Sequence, residues 1–468
     1  MWGIELQRKT GVTLSRQIYQ ILRDQMTEGR LQPDEVLPST REMAQQLSVS
    51  RNTVYEAYEM LSAEGYIISR PGSQTRVAKG LCLGKPASVT GESDKPVQPA
   101  QNYLADFQTG RPDLRQFPMH LWLQLMHKAA EALPVNQWSY TGPAGLPVLR
   151  EEIAAWLFRS RGLAIQPQDI FITAGATQAL NLVADLLYSK SREIIVEDPC
   201  HSGMLHVLQS KGFGIRPVPV DNQGIQTGFL EGKGVCAIYV TPSHQFPLGG
   251  ILPAGRRADL IRFAREYGLY LIEDDYDSEF RYNGSPVAPL RSMDAQRVIY
   301  IGTFSKILFP ALRIGYVILP HHLHSRWRHL RTYTDVQNPP FEQAALAEFL
   351  LTRKLDRHVQ KMRRLYGNRR QRLLQELERT FGNTWRVWGD ASGLHLALEF
   401  PGRRFDREFA LYCEKSGIRL TPGDFHSLRK GFHLDKLLLG YGHLDEEEIS
   451  RGILLLYNAF SCFKPNHP

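Results

Sequence analysis

Cysteine is scarce in this chain: five residues among 468 (Cys82, Cys200, Cys236, Cys413 and Cys462), with no C-x-x-C pair. An odd count without such spacing argues against a disulfide framework and a zinc site, and fits a reducing compartment. Long apolar runs are missing too. No stretch approaches the about 18 residues that cross a bilayer, and Met1 to Thr10 has no apolar core behind its first charges, so membrane insertion and secretion are not expected. A cytoplasmic protein without a membrane partner or metal is the expectation. Repeats are absent, and composition breaks at one place. Lys79 to Gln101 replaces periodic hydrophobics with Gly, Pro, Ser and small polar residues, which reads as a flexible linker over 79–101.

The chain is otherwise of ordinary globular make-up, 43% hydrophobic and 22% charged, long enough for two or three domains. Its net charge of +8 suggests an anionic partner, but the charge is unevenly placed. Residues 1–80 carry ten Lys/Arg against nine Asp/Glu, whereas Arg353 to Arg372 holds nine basic residues and one Asp356. A helix of that composition is most simply a solvated face; a supplementary DNA or partner contact is the alternative.

Residues 1–78 show helical periodicity in Leu14, Ile18, Ile21, Leu22 and Met26, which predicts an amphipathic helix from Thr13 to about Thr27. Ser39-Thr40-Arg41-Glu42 is a capping box, and Ser50 can cap a helix carrying Val54, Ala57, Tyr58 and Leu61 on one face. Two helices joined by so short a turn make a helix-turn-helix. Tyr66-Ile67-Ile68 and Thr75-Arg76-Val77 flank Arg70-Pro71-Gly72-Ser73, a hairpin tip that supplies a wing. The start of a recognition helix faces the major groove of double-stranded operator DNA, here with Ser50, Arg51, Asn52, Thr53 and Tyr55. Arg51 suits guanine and Asn52 adenine, while Thr40, Arg41, Arg70, Ser73 and Gln74 would hold the backbone. The alternative is a helical packing module whose polar helix starts are only caps; an arginine at the wing tip is a feature that a spacer does not need. LPSTREMAQQLSVSRNTVYEAYEMLSAEGYI resembles the winged helix of the GntR superfamily. The wing departs from that pattern, with GSQTRV lacking the usual glycine after the serine.

The remainder, 102–468, carries different chemistry. Gly302-Thr303-Phe304-Ser305-Lys306 follows the apolar strand Val298 to Ile301, and Pro310-Ala311-Leu312-Arg313 comes next. A lysine at a strand end beside hydroxyls and an arginine suits a Schiff base with a phosphate gathered nearby. Alone, a Ser-Lys pair says little, since most lysines are solvated. Ile272 to Tyr276 ends another apolar strand in carboxylates, and an aspartate there can pair with a protonated pyridine nitrogen. Thr173-Ala174-Gly175-Ala176-Thr177 is a small-residue turn before a helix beginning near Gln178, where backbone N–H groups bind phosphate. Glu197-Asp198-Pro199 and Thr241 to Gly249 follow further strands, and alternating strands and helices with polar turns at strand ends describe a doubly wound sheet.

In this order the motifs resemble fold-type I, aspartate-aminotransferase-like enzymes dependent on pyridoxal 5′-phosphate, from about Asp106 to Phe460. With the winged helix, the whole chain resembles the MocR-type regulators. The resemblance implies a multidomain chain: an α+β winged helix-turn-helix, then an α/β aminotransferase-like domain made of a large cofactor domain and a small C-terminal α+β subdomain. It implies Lys306 as the Schiff-base lysine, Asp274 on the pyridine nitrogen, and Tyr276 near the ring oxygen. Gly175, Ala176, Thr177, Thr303 and Arg313 would hold the phosphate, His201 would stack on the ring, and Tyr140 would reach in from the second subunit of a homodimer, which in this family is often domain-swapped. His201 stands where an aromatic is usual, and Phe246 where aminotransferases have asparagine. Leu438 stands where they place the arginine that clamps a substrate carboxylate. The implied function is a transcriptional regulator sensing a small amine, or the cofactor itself, with Arg111, His426 or Arg429 as candidate effector contacts. An active aminotransferase with an accessory DNA-binding module is the alternative, and a constitutive DNA-binding protein with a purely structural second domain is a third.

Overall fold

The computed structural model describes residues 2–8, 11–70, 73–80, 103–188, 193–285, 287–389 and 391–463. The expected linker lies outside the described residues except for Lys79 and Gly80, as do Pro71 and Gly72 of the hairpin tip. The chain divides into two compact units, Met1–Pro99 and Ala100–Pro468.

In the first unit, three helices and a hairpin share one core. Helix Leu14–Thr27 begins behind Thr13, whose hydroxyl accepts from the Arg16 amide. Helix Thr40–Leu47 opens with the capping box, Ser39 Oγ accepting from the Glu42 amide at 3.2 Å and Glu42 Oε2 from the Ser39 amide at 2.9 Å. It ends at Ser48 in a left-handed conformation, φ 53°, and Ser50 caps the next helix, Arg51–Ala63. Ile18, Leu22, Met43, Val54, Ala57 and Leu61 are sealed between the helices. Strands Ile67–Ile68 and Arg76–Val77 pair antiparallel, and Val36 bridges to Arg76, which completes a winged helix-turn-helix.

The second unit is built on an eight-stranded sheet. Its spatial order is Ile170–Thr173, Gly315–Ile318, Val298–Thr303, Tyr270–Asp275, Val235–Val240, Glu193–Asp198, Gly214–Asp221 and Gly224–Ile225. The central five are mutually parallel, and Gly315–Ile318 runs antiparallel to both its neighbours. Parallel strands buried on both faces read as near-continuous apolar runs, which Ile194–Val196, Ala237–Val240 and Val298–Ile301 are. A small C-terminal α+β subdomain follows: the antiparallel strands Arg386–Trp388, His395–Glu399, Lys436–Gly440 and Thr421–Pro422, packed with helices that include Lys354–Phe381 and Glu446–Cys462. This is the fold-type I aminotransferase architecture.

Two expectations are refined. The helix expected near Gln178 begins two residues earlier, at Ala176, because Gly175 takes φ +87° and turns the chain directly into it. The basic stretch from Arg353 leads into helix Lys354–Phe381, with Leu355, Val359, Met362, Tyr366 and Leu373 buried along one face, Arg353, Arg357, Lys361 and Arg364 exposed, and Lys354, Arg363, Arg370 and Arg372 half-buried. Arg369 is an exception, buried with a 2.7 Å bond to Asp113. Among the described residues no helix is long and apolar enough to cross a membrane, and no acidic, His or Cys group could hold a metal.

Candidate functional site

The turns at the carboxyl ends of the parallel strands converge on a cavity of about 240 Å³, where the crossover geometry of an α/β sheet opens a crevice. Strand periodicity decides what enters it. Along Glu273-Asp274-Asp275, alternate side chains take opposite faces. Glu273 turns away to accept from the Leu290 and Arg291 amides at 2.8 and 2.9 Å, and Asp275 pairs with Arg161 at 2.6 Å. Asp274 alone faces the cavity. Its Oδ2 accepts from the Tyr239 hydroxyl at 2.6 Å, while its Oδ1 is buried without a partner among the described residues. Burial raises its carboxyl to about 6, against the opposing pull of the Tyr239 bond and the Lys306 charge.

Lys306 lines the same cavity, its Nζ donating to the Gly110 carbonyl at 2.6 Å. Burial lowers its ammonium pKa, opposed by Asp277 and Asp274, which favours the neutral nucleophilic amine. At another side of the cavity, helix Ala176–Leu187 starts with no side-chain cap among the described residues, which leaves its first amides to meet an anion. Ala176, Thr177, Thr303, Ser305 and Arg313 line that side. Arg313, at φ 52°, donates to the Ala174 carbonyl, and a Cβ on Gly175 would come within 3.2 Å of its guanidinium nitrogens. Ser305 donates its amide to Thr303 Oγ1 at 3.2 Å, which holds the hydroxyls together.

His201 and Tyr276 complete the lining. His201 Nδ1 accepts from the Met204 amide at 3.3 Å as a helix cap, so that nitrogen carries no hydrogen, and burial with Lys306 nearby lowers its pKa. Both effects favour the uncharged ring, which sits 4.9 Å from that of Phe246. The Tyr276 hydroxyl lies 2.9 Å from His244 Nδ1, and burial holds the phenol protonated.

Of the residues expected here, the structure gathers Ala176, Thr177, His201, Asp274, Tyr276, Thr303, Lys306 and Arg313 around one cavity, with Gly175 immediately behind. Tyr140 is 83% exposed and away from it. The three candidate effector contacts are not brought to the lining. Arg111 pairs with Asp106 at 2.6 Å, Arg429 donates to the Pro217 carbonyl at 3.2 Å, and His426 stands behind Phe246 with ring centroids 5.0 Å apart. Leu438 is fully buried among Val220, Leu248 and Ala397, which leaves no cation at that position. Thr109, Gly110, Met204 and Tyr239 also line the cavity. Only the topology brings Thr109 and Gly110 there; Tyr239 had a faint signal, a phenol inside the apolar strand Val235–Val240.

In the first unit, Arg41, Arg51, Asn52, Tyr55, Arg70, Ser73 and Gln74 are exposed, with Arg51 Nε 3.4 Å from Thr40 Oγ1. Ser50 Oγ accepts from the Thr53 amide at 3.1 Å and lies 2.8 Å from Thr53 Oγ1, so both hydroxyls are engaged in the cap.

The donor set around the cavity fits pyridoxal 5′-phosphate: an unpaired carboxylate oxygen for a ring nitrogen, an amine for an aldehyde, and free helix amides with an arginine for a phosphate. Comparison with known proteins agrees with the geometry. Residues 14–77 match the bacterial regulatory proteins of the gntR family, and residues 107–432 match aminotransferase class I and II. The chain is similar to the HTH-type transcriptional regulator YdeL of Bacillus subtilis, 33% identical over 97% of this chain and 98% of that one. It is likewise similar to the probable rhizopine catabolism regulatory protein MocR of Rhizobium meliloti, 32% identical over 97% and 95%. Among solved structures, an archaeal alanine:glyoxylate aminotransferase superposes with a TM-score of 0.71 at 28% identity, covering 77% of this chain and 91% of that one. The chain belongs to the MocR-type transcriptional regulators, in which a gntR-family helix-turn-helix is joined to an aminotransferase class I and II domain.

Proposed function

We propose that this regulator binds double-stranded operator DNA through residues 1–78, holds pyridoxal 5′-phosphate in the cavity of residues 102–468, and uses that site to sense a small amine. The observation that carries the reading is the placement of Lys306, the unpaired oxygen of Asp274 and the Arg313–Gly175 cup around a single cavity. Asp274 would hold the ring nitrogen, Tyr276 and His201 the ring, and Gly175, Ala176, Thr177, Thr303 and Arg313 the phosphate. Bound there, the cofactor supplies an aldehyde carbon that reacts with primary amines. Lys306, whose amine burial favours, would hold the cofactor through that carbon and, when a ligand amine takes its place, would receive at Nζ the hydrogens which that amine gives up. The burial of Leu438 removes the bidentate carboxylate clamp of amino-acid aminotransferases, which supports sensing over turnover. The head would read bases with Arg51 and Asn52 and hold phosphates with Thr40, Arg41, Arg70, Ser73 and Gln74, Tyr55 packing alongside. A cytoplasmic homodimer with Tyr140 completing the neighbouring site, and with two heads matching two half-sites, is part of the same reading.

A ligand changes operator affinity only by favouring one of two states. The test is an operator-binding titration of the cofactor-loaded protein against a panel of amines, with the visible spectrum followed in parallel. An amine that shifts both the absorption band and the DNA dissociation constant is expected. A band that decays and returns with an added 2-oxo acid, without any change in DNA affinity, would overturn the sensor reading in favour of an enzyme.

A further inference from the structure

His244 and Asp277 are buried side chains that meet each other beside the Tyr276 hydroxyl. Nδ1 of His244 lies 2.9 Å from Asp277 Oδ1 and 2.9 Å from the Tyr276 hydroxyl, with both side chains of the pair 2% exposed. One ring nitrogen therefore faces two oxygens. The Asp277 oxygen takes the part of acceptor in this contact, so Nδ1 carries the hydrogen and shares it between the two oxygens. The Tyr276 oxygen receives the second branch and cannot give its own hydrogen back to Nδ1. That hydrogen is left to turn into the cavity that Tyr276 lines with Lys306 and Asp274.

The chain makes room for this pair. Gly393 sits at φ +72°, and a Cβ there would come 2.2 Å from His244 Cε1 and 2.5 Å from Asp277 Oδ2. The neighbouring His395, whose ring centroid is 5.3 Å from that of His244, gives its Nε2 hydrogen to the Pro247 carbonyl at 2.8 Å and so stays out of the arrangement.

We infer that His244 and Asp277 are positioning residues, which fix the Tyr276 hydroxyl as a hydrogen-bond donor to the ring oxygen of the bound cofactor. The inference rests on the reading that pyridoxal phosphate occupies the cavity. Its test is a double-mutant cycle on the full chain with Tyr276→Phe, His244→Phe and the double variant. The readouts are the pyridoxal phosphate dissociation constant by equilibrium dialysis and the visible absorption maximum. Tyr276→Phe removes the bond and is expected to weaken binding about tenfold, and His244→Phe, which leaves the hydroxyl present but unoriented, should weaken it by less, with both moving the maximum in the same direction. The double variant should then bind no more weakly than Tyr276→Phe alone. Additive losses, or an unmoved maximum in His244→Phe, would overturn the positioning role. Should His244→Phe not fold, because it strands the Asp277 charge, His244→Phe combined with Asp277→Leu takes its place in the cycle and is held to the same outcomes. A wild-type protein that binds no pyridoxal phosphate overturns the occupancy reading together with this one; binding with additive losses overturns this one alone.

Discussion

Tyr239 donates a 2.6 Å hydrogen bond to one carboxylate oxygen of Asp274 and leaves the other, at the wall of the cavity, with no partner among the described residues. Burial raises the Asp274 carboxyl from 3.8 to about 6, so in the free protein this group favours folding below about pH 4 and loses that contribution as pH rises through about 6. An occupant that presents a protonated ring nitrogen gives the charge its missing partner. The rise in melting temperature on adding pyridoxal phosphate should therefore be larger at about pH 7.5 than at about pH 5. Thermal unfolding at the two values checks this, and equal rises would contradict it.

Tyr239→Phe removes a donor to the ionised form and must raise the Asp274 pKa further. The pH below which pyridoxal phosphate binding weakens should move upward, while affinity well above it changes little. Dissociation constants measured across the acid range test the direction; a downward move would remove Asp274 from the ring nitrogen.

Gly175→Val places a branched side chain at φ +87° against the Arg313 guanidinium. Both the strain and the lost close approach act on the phosphate cup, so cofactor affinity should fall about tenfold or more, as it should for Arg313→Ala. Equilibrium dialysis reads the effect, and unchanged affinity in both variants would move the phosphate elsewhere.

Arg51→Ala should reduce discrimination between operator and non-operator DNA by about 1–3 kcal/mol if the guanidinium reads guanine bidentately. Binding to both sequences, measured at one fixed salt concentration, separates this from a uniform loss, which would assign Arg51 to a phosphate.

Local signals in the sequence located the helix starts. The oxygens of Ser39 and Ser50 cap amides three residues ahead, a relationship complete within one turn, while apolar periodicity placed the first helix to within a residue of its start at Leu14. The strand ends that carry Asp274 and Thr303 were legible for a similar reason, since apolar runs stop where the sheet stops. The contacts of Lys306 and His244 were not. Gly110 meets Lys306 across 196 residues, and Asp277 meets His244 across 33, so only the folded sheet brings them together. The effector candidates failed to reach the cavity for the converse reason. Arg111 and Arg429 are cations with nearer partners, the Asp106 carboxylate and the Pro217 carbonyl, which sequence spacing does not reveal.

The central claim is that Lys306 holds the cofactor, and borohydride reduction of the pyridoxal-phosphate-loaded protein followed by peptide mass mapping tests it most directly. A pyridoxyl group on the peptide containing Lys306, lost in a folded Lys306→Ala variant that still binds DNA, is the predicted result. A label on another lysine, or none in a protein that retains its fold, would contradict the account.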